Sequence, residues 1–153
     1  MNYLTQTSRS DLLFATHQVA KYSSDPRKEH GEGVYIVRYL KKTRHLGLKF
    51  RPNESKGFEC YCDADFAGNW NKEFAQNDPS TAKSRSGWVI FYARCPIIWA
   101  SKLQSQVALS TTEAEYIAMS MALRDVIPIM EIMTEFRERN VKVICTQPQV
   151  YCK

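Results

Sequence analysis

Two short acidic motifs contain the side chains of this sequence that could do chemistry. Asp63 and Asp65 belong to the first motif, and Glu113 and Glu115 belong to the second. Carboxylate oxygens are the ligands that Mg²⁺ prefers in proteins. A strand that ends near Asp63 and a helix that begins near Glu115 could bring these two groups together across 52 sequence positions. The pattern therefore predicts a divalent-metal site of the kind that serves phosphodiester hydrolysis.

The residues around the acidic motifs predict the elements that would position them. A strand is predicted at 58–63, where apolar side chains alternate onto one face. A helix is predicted at 110–127, because Ser110 can cap it and apolar side chains recur at helical spacing. Pro128 predicts either a kink or the start of a second helix that runs to about Arg139. Taken alone, each acidic motif is more often a turn or a helix cap. It is the occurrence of both motifs in this order, with these surroundings, that favours the metal site.

Other segments complete a mixed α/β pattern. Residues 67–85 are polar and predict a long loop. The β-rich runs at 87–93 and 97–101 predict an antiparallel hairpin. Residues 141–153 predict a turn and the beginning of one more strand.

The first third of the chain has a different pattern. It predicts helices at 11–22 and 28–43, the second of them started by Asp25 and the proline that follows it. In the second helix, the side chains expected to be partly buried are Tyr35, Val37, Tyr39 and Leu40. A short strand is predicted at 46–50. A polar linker bounded by proline and glycine follows at 51–57 and predicts a domain boundary.

Positive charge is concentrated before that boundary. Residues 1–57 contain 11 Lys and Arg against 5 Asp and Glu, a balance of +6, whereas residues 58–153 have a balance of −1. Nucleic acid is the partner that such a basic segment suits. The side chains expected to contact phosphates are Arg38, Lys41, Lys42, Arg44 and Lys49.

Composition excludes several classes of protein. A hydrophobic fraction of 44% with mixed charge is typical of a globular protein and not of a disordered one. We expect an intracellular location, because no apolar run is long enough for a membrane span and charges interrupt the N-terminal region where a signal peptide would be apolar. The five cysteines predict reduced, buried side chains. A zinc site at Cys60 and Cys62 is a weak alternative, since no second ligand pair has the usual spacing.

Several motifs resemble a known family and occur in that family's order. They are Tyr61 to Gly68 (Tyr-Cys-Asp-Ala-Asp-Phe-Ala-Gly), Arg85 to Trp88, Pro96 to Lys102, Val107 to Ser110, and Thr111 to Ala118. Together they resemble the ribonuclease H domain of copia-type retrotransposon polyproteins. The motifs at 10–15, 28–30 and 38–41 are similar to the end of the reverse transcriptase of the same polyproteins.

The resemblance implies a fold, a cofactor and residue roles. The implied fold is α/β: a truncated ribonuclease H-like mixed sheet with helices at 58–153, preceded by a small helical segment derived from reverse transcriptase at 1–57. Asp63 matches the first catalytic aspartate and Glu115 the catalytic glutamate, and both would bind Mg²⁺ during hydrolysis of the RNA strand of RNA–DNA hybrids. Asp65 and Glu113 are not expected to be the first metal ligands.

The family's third and fourth catalytic carboxylates have no match in this sequence. We therefore expect a fragment that is inactive by itself, with an RNA–DNA hybrid or other nucleic acid and the rest of the polyprotein as partners, and no membrane. Two alternatives are a non-catalytic nucleic-acid-binding module and a recruited interaction protein such as a secreted effector. For the latter, the residues at 38–41 come within one position of an Arg-x-Leu-Arg motif.

Overall fold

The computed structural model describes residues 1–24, 31, 33–73, 75–139, 141, 143 and 149–152. Contacts divide the chain into two units, Met1–Lys49 and Phe50–Lys153. The linker is counted with the second unit, where the Asn53 N–H donates to the Ala93 carbonyl at 2.9 Å. The assignment of the two parts to a reverse transcriptase and a ribonuclease H stays a prediction. Across the part of the chain that is described, none of the helices has the length and apolar character of a membrane span.

The first unit is helical. Its elements are α1 (Asn2–Thr7), a short 3₁₀ helix (Ser10–Leu12), α2 (Leu13–Ala20) and α3 (Gly33–Lys42). The buried side chain of Arg9 holds the unit together, because its guanidinium donates to both oxygens of Asp11 at 3.0 and 2.8 Å and to the Thr43 carbonyl and hydroxyl at 3.1 and 2.8 Å. The segment that precedes α2 is thereby connected to the residue that follows α3.

Two expectations for this unit need correction. Residues 46–50 form no strand, because a strand needs a hydrogen-bonded neighbour and none runs beside them in the described part of this unit. In α3, Ile36 is buried against the other helices, whereas Tyr35, Val37 and Tyr39 are exposed and not partly buried. The expected helix start at Asp25 lies outside the described residues, and so does the whole motif at 28–30.

The second unit is a mixed sheet with one long helix, which confirms the predicted mixed α/β class. Its elements are β1 (Phe58–Asp65), β2 (Arg85–Tyr92), β3 (Cys95–Leu103), α4 (Thr111–Glu138) and β4 (Gln149–Cys152). The strand order is β3-β2-β1-β4. Neighbours are antiparallel in the first two pairs, and β4 runs parallel to β1. β1 is therefore an inner strand with a partner on each side.

The hairpin between β2 and β3 is tighter than the sequence indicates. Its turn is formed by Ala93 and Arg94, with φ of 49° and 64°, so Cys95 and Pro96 already belong to β3. Two consecutive left-handed residues give a turn whose twist matches that of the flanking strands. The predicted hairpin is thus confirmed, with its turn moved toward the N-terminus.

Helix α4 covers one face of the sheet. The core contains Phe58, Cys60 and Cys62 of β1, packed with Ala122 and Val126 of α4. The helix continues through Pro128 to Glu138, so the alternative of a second helix after the proline is wrong. Packing of Ile129, Met130 and Met133 against the same core accounts for this continuity, since it fixes the turn that lacks the proline N–H.

Gln104 connects the first turn of α4 to the sheet. It is 1% exposed, and its Nε2 donates to the Ser86 hydroxyl and to the Ala114 carbonyl, both at 2.9 Å. Its backbone N–H donates to the Ser84 carbonyl at 2.9 Å. One buried side chain therefore sets the distance between the strand β2 and the helix start.

Replacing Gln104 should destabilise the second unit. Gln104→Met keeps the size of the side chain but leaves the buried Ser86 hydroxyl and Ala114 carbonyl without this donor, so we expect the free energy of unfolding to fall by about 1–3 kcal/mol. Chemical denaturation followed by circular dichroism measures the change. Gln106→Met is the matched control, because Gln106 is exposed. Equal effects of the two substitutions would contradict the structural role of Gln104.

Candidate metal site

Asp63 lies near the carboxyl end of the inner strand β1. Its register partner on β2 is Gly87, and the side chain of Asp63 is exposed. The next residue, Ala64, is half-buried, and its backbone N–H donates a hydrogen bond to the carboxylate of Glu115 on α4. The strand therefore presents one carboxylate to solvent while the backbone beside it faces the helix.

Glu115 lies in the second turn of α4, directly after a cap that uses the neighbouring acidic residue. Ser110 is the N-cap, and its hydroxyl accepts from the Glu113 N–H at 3.1 Å. The carboxylate of Glu113 in return accepts from the Leu109 N–H at 2.7 Å. This reciprocal arrangement is a capping box, and it satisfies donors that the helix itself leaves unpaired. The carboxylate of Glu113 is thus part of the helix cap, whereas the carboxylate of Glu115 faces the sheet.

The structure brings Asp63 and Glu115 together. Burial raises the pKa of Glu115, and the negative charge of the adjacent Asp63 raises it further, while a hydrogen bond from the Ala64 N–H partly opposes the rise. Within the described residues, the buried Oε2 atom of Glu115 has no hydrogen-bond partner. Two neighbouring carboxylates with an unpaired buried oxygen form a site that a cation would stabilise. The donor set therefore fits Mg²⁺.

Asp65 is directed elsewhere. Its carboxylate oxygens occupy the space where a Cβ on Gly68 would lie, so a larger residue at position 68 would have to displace the Asp65 carboxylate. Its charge also acts on Arg85, where burial lowers the pKa of the guanidinium and the nearby carboxylate opposes that fall. Asp65 and Glu113 both have local partners, which distinguishes them from the Asp63 and Glu115 pair.

The site has two carboxylates in the part of the chain that is described. Across residues 1–24, 31, 33–73, 75–139, 141, 143 and 149–152, no group of three or more His, Cys, Asp or Glu side chains is placed to hold a metal. Asp125 of α4 is half-buried and accepts a hydrogen bond from Trp88 Nε1 at 2.8 Å. Burial raises the pKa of Cys60 to about 11 and that of Cys62 to about 12, which disfavours the thiolates that zinc requires.

The basic side chains expected to contact phosphates lie in the first unit. Arg38, Lys41 and Lys42 belong to α3, and Arg44 and Lys49 follow it. All five are exposed. The Arg38 guanidinium lies 5.8 Å from the centre of the Tyr35 ring, so an exposed aromatic side chain adjoins the positive charge.

Sequence reasoning missed an aromatic surface on the sheet face opposite α4. The Tyr61 ring is stacked on Tyr151 with centroids 5.0 Å apart and meets Phe91 edge-on at 5.9 Å. Together with Val89 and Asp63, two of these rings line a shallow cavity of about 550 Å³. Strand alternation could have placed Tyr61 and Phe91 on this face. The position of Tyr151 depends on the pairing of β4, which no local pattern predicts.

Comparison with known proteins gives sequence relatives but no structural ones. No family model and no solved structure matches the chain. The chain is 37% identical over 153 residues to the Retrovirus-related Pol polyprotein from transposon TNT 1-94 of Nicotiana tabacum, and 29% identical over 153 residues to that from transposon RE1 of Arabidopsis thaliana. These alignments cover 98% and 99% of the chain but 10% of each polyprotein, so the chain spans about a tenth of their length.

A shorter relative aligns over most of its own length. The chain is 33% identical over 126 residues to Secreted RxLR effector protein 161 of Plasmopara viticola, and the alignment covers 82% of either protein. The chain therefore belongs to a family whose members occur as a segment of copia-type Pol polyproteins and, in Plasmopara viticola, as a separate effector protein.

Proposed function

We propose that this chain derives from the end of a reverse transcriptase and the first part of a ribonuclease H, and that in an intact polyprotein Asp63 and Glu115 hold Mg²⁺ for cleavage of the RNA strand of RNA–DNA hybrids. The observation that carries the proposal is the contact between these two carboxylates at the end of β1 and the beginning of α4. The chain by itself is proposed to be inactive.

The order of elements supports this proposal. Strand, long loop, two antiparallel strands, helix and a returning parallel strand is the order in which a ribonuclease H fold begins, and the second unit has that order. The inner strand provides the first carboxylate and the following helix the second. Homology to copia-type Pol polyproteins over nearly the whole chain is consistent with this origin.

The residues of this chain have separate tasks in such a site. Asp63 and Glu115 provide carboxylate oxygens, and the Ala64 N–H orients the carboxylate of Glu115. The chemistry supplied by bound magnesium is activation of a water and stabilisation of the leaving oxygen. Two metal ions need more carboxylates than these two, which is why activity is proposed for the intact polyprotein and not for this chain.

The charge pair has a predictable dependence on pH. Because the pKa of Glu115 is raised in the folded chain, the folded state keeps a proton there at pH values where the unfolded state has lost it. The stability contributed by that proton is fully present below the ordinary glutamate pKa and is lost as pH rises through the raised value. Above that raised value, repulsion between the Glu115 carboxylate and the neighbouring Asp63 opposes folding.

Magnesium should therefore stabilise the folded chain through this pair. At a concentration ten times the Kd, binding to the folded state contributes about 1.4 kcal/mol, which corresponds to a rise in Tm of roughly 3–6 °C for a chain of this size. Asp63→Asn and Glu115→Gln should each abolish the rise, and without metal their Tm should equal or exceed that of the unsubstituted chain, because each removes repulsion.

Differential scanning calorimetry at pH 7.5, with and without MgCl₂ and at matched ionic strength, measures these values. Asp65→Asn is the matched control, since the same change two residues along β1 should leave the magnesium effect intact. A metal effect that survives Asp63→Asn and Glu115→Gln would defeat the assignment of these residues.

Cleavage of a labelled RNA–DNA hybrid tests the catalytic part of the proposal. The 153-residue chain should show no turnover above background in MgCl₂. A chimera in which the chain is followed by the next segment of the TNT 1-94 polyprotein should cleave the RNA strand, and Asp63→Asn and Glu115→Gln should each reduce its rate at least about 100-fold, as expected for loss of a metal-ion contribution of several kcal/mol. A folded chimera that cleaves equally well with both substitutions would refute the proposed roles.

A nucleic-acid-binding module is a second candidate function, favoured by the exposure of all five basic side chains in and after α3. Contacts to phosphates need accessible cations and no particular base sequence.

A third candidate is an effector-type interaction protein, favoured by the 82% coverage of Secreted RxLR effector protein 161. Reading the genomic sequence after the codon for Lys153 separates these origins, because an open frame that continues into an Asp-Asn motif indicates a polyprotein.

Binding to nucleic acid should be weak, indifferent to sequence and steeply dependent on salt. Lys41→Gln with Lys42→Gln should lower the affinity for a fluorescent RNA–DNA hybrid and make the slope of log K against log[salt] shallower by about 2, one unit for each lost phosphate contact. Fluorescence anisotropy between 50 and 200 mM NaCl measures both values. The control is Lys72→Gln with Arg137→Gln, which removes the same charge from exposed positions of the second unit. An equal loss in the control would show that net charge alone is responsible.

A further inference from the structure

Three cysteines of the second unit lie on two neighbouring strands. Cys60 and Cys62 belong to β1, and Cys152 belongs to β4. In the parallel pairing of these strands, the register partner of Cys62 is Cys152. The two side chains interact directly, and the Cys62 thiol also donates to the carbonyl of Tyr151 at 3.7 Å. A thiol pair is therefore formed across the edge of the sheet.

The strand register of this pair is compatible with a covalent bond. Neighbouring strands lie about 4.8 Å apart, and disulfides form between Cα atoms about 4.4–6.8 Å apart. Cys60 has Val150 as its partner, and Cys95 lies in β3 at the other edge of the sheet. Among the cysteines that the structure describes, Cys62 and Cys152 are thus the pair that strand register brings together.

The two thiols differ in their access to solvent. Cys152 is exposed, whereas Cys62 is 3% exposed. An oxidant in solution can therefore reach Cys152 first, and the buried neighbour is already in place to react with the product. Cys152 would therefore be the thiol that meets the oxidant, and Cys62 the thiol that reacts with the oxidised product.

We propose that Cys62 and Cys152 are a redox modification site, at which a peroxide forms a reversible disulfide between β1 and β4. Hydrogen peroxide oxidises the Cys152 thiolate to a sulfenic acid, with cleavage of the O–O bond and release of hydroxide, which the lost thiol proton converts to water. The Cys62 sulfur then displaces the second water from the sulfenic sulfur as the S–S bond forms. In total, two thiols and one peroxide give one disulfide and two waters. A dithiol reductant reverses the bond by exchange.

The disulfide would fix an element that few contacts hold. β4 has four residues, and its described strand pairing is with β1 alone. Asp63 follows Cys62 directly, so the disulfide would join β4 to β1 at the residue next to the proposed metal ligand. The redox site does not depend on the proposed ribonuclease origin, because it rests on strand register and exposure.

Peptide mapping of the peroxide-treated chain tests this inference. Chymotrypsin cuts after Tyr61 and Tyr151, so cleavage with chymotrypsin and trypsin separates Cys62 from Cys60, and Cys152 from Cys145. We expect a fragment that joins 62–66 to 152–153 under non-reducing conditions, in a chain that stays monomeric and loses two free thiols. Dithiothreitol should release it. Its formation should also raise the Tm measured without reductant.

Variants distinguish this bond from other oxidations. Cys152→Ser should abolish both the fragment and the rise in Tm, and Cys62→Ala should do the same. Cys60→Ser with Cys145→Ser, and separately Cys95→Ser, should leave the fragment in place. A disulfide dimer through Cys152, a stable sulfenic acid trapped by dimedone, or a Cys145 linkage as the main product would each overturn the proposal.

Discussion

The second unit depends on how closely α4 approaches the sheet. Ala114, Ala118 and Ala122 recur every four residues along the helix, and each is completely buried. Residues at this spacing share one helix face, and alanine is small enough to let the helix backbone come near the strands. A larger side chain at any of the three would have to displace the helix or the sheet. The contact of Glu115 with Asp63 and Ala64 and the hydrogen bonds of Gln104 both require this short distance.

This close packing forces two negative charges together, which stability alone would not favour. Other acidic side chains nearby have compensating partners: Glu113 completes a helix cap, Asp65 lies near Arg85, and Asp125 accepts from Trp88. Glu115 accepts from the Ala64 N–H, and its other neighbour is the like-charged Asp63. Like charges held adjacent are typical of binding sites, because a bound ligand supplies the missing charge.

Elements with strong local signals could be predicted from the sequence. The strand at β1, the hairpin and the capped start of α4 each have a period or a cap of their own, and all three are confirmed. The strand at 46–50 was wrong because alternation gives no information about whether a partner strand exists. The helix through Pro128 and the exposure of Tyr35 were also missed, since tertiary packing decides both.

The candidate site also contains residues that the sequence could predict and residues that it could not. Asp63 and Glu115 could be chosen from the ends of predicted elements, and so could the exposed basic side chains. The stacked rings of Tyr61 and Tyr151 could not be predicted, nor could the pairing of Cys62 with Cys152, because both require the register of two strands about ninety positions apart. A local pattern contains no information about such a register.

That register also has a consequence for the order in which the sheet forms. The hairpin of β2 and β3 is closed by a two-residue turn. The long loop between β1 and β2 is still much shorter than the segment between β1 and β4, so these contacts are the more local ones. β4 can pair only after α4 has crossed the sheet and the whole intervening chain has been synthesised. Contacts between distant residues carry the larger loop-closure entropy and form late. During synthesis on the ribosome, β1 would therefore fold with one open edge, and Cys62 would be accessible until β4 arrives.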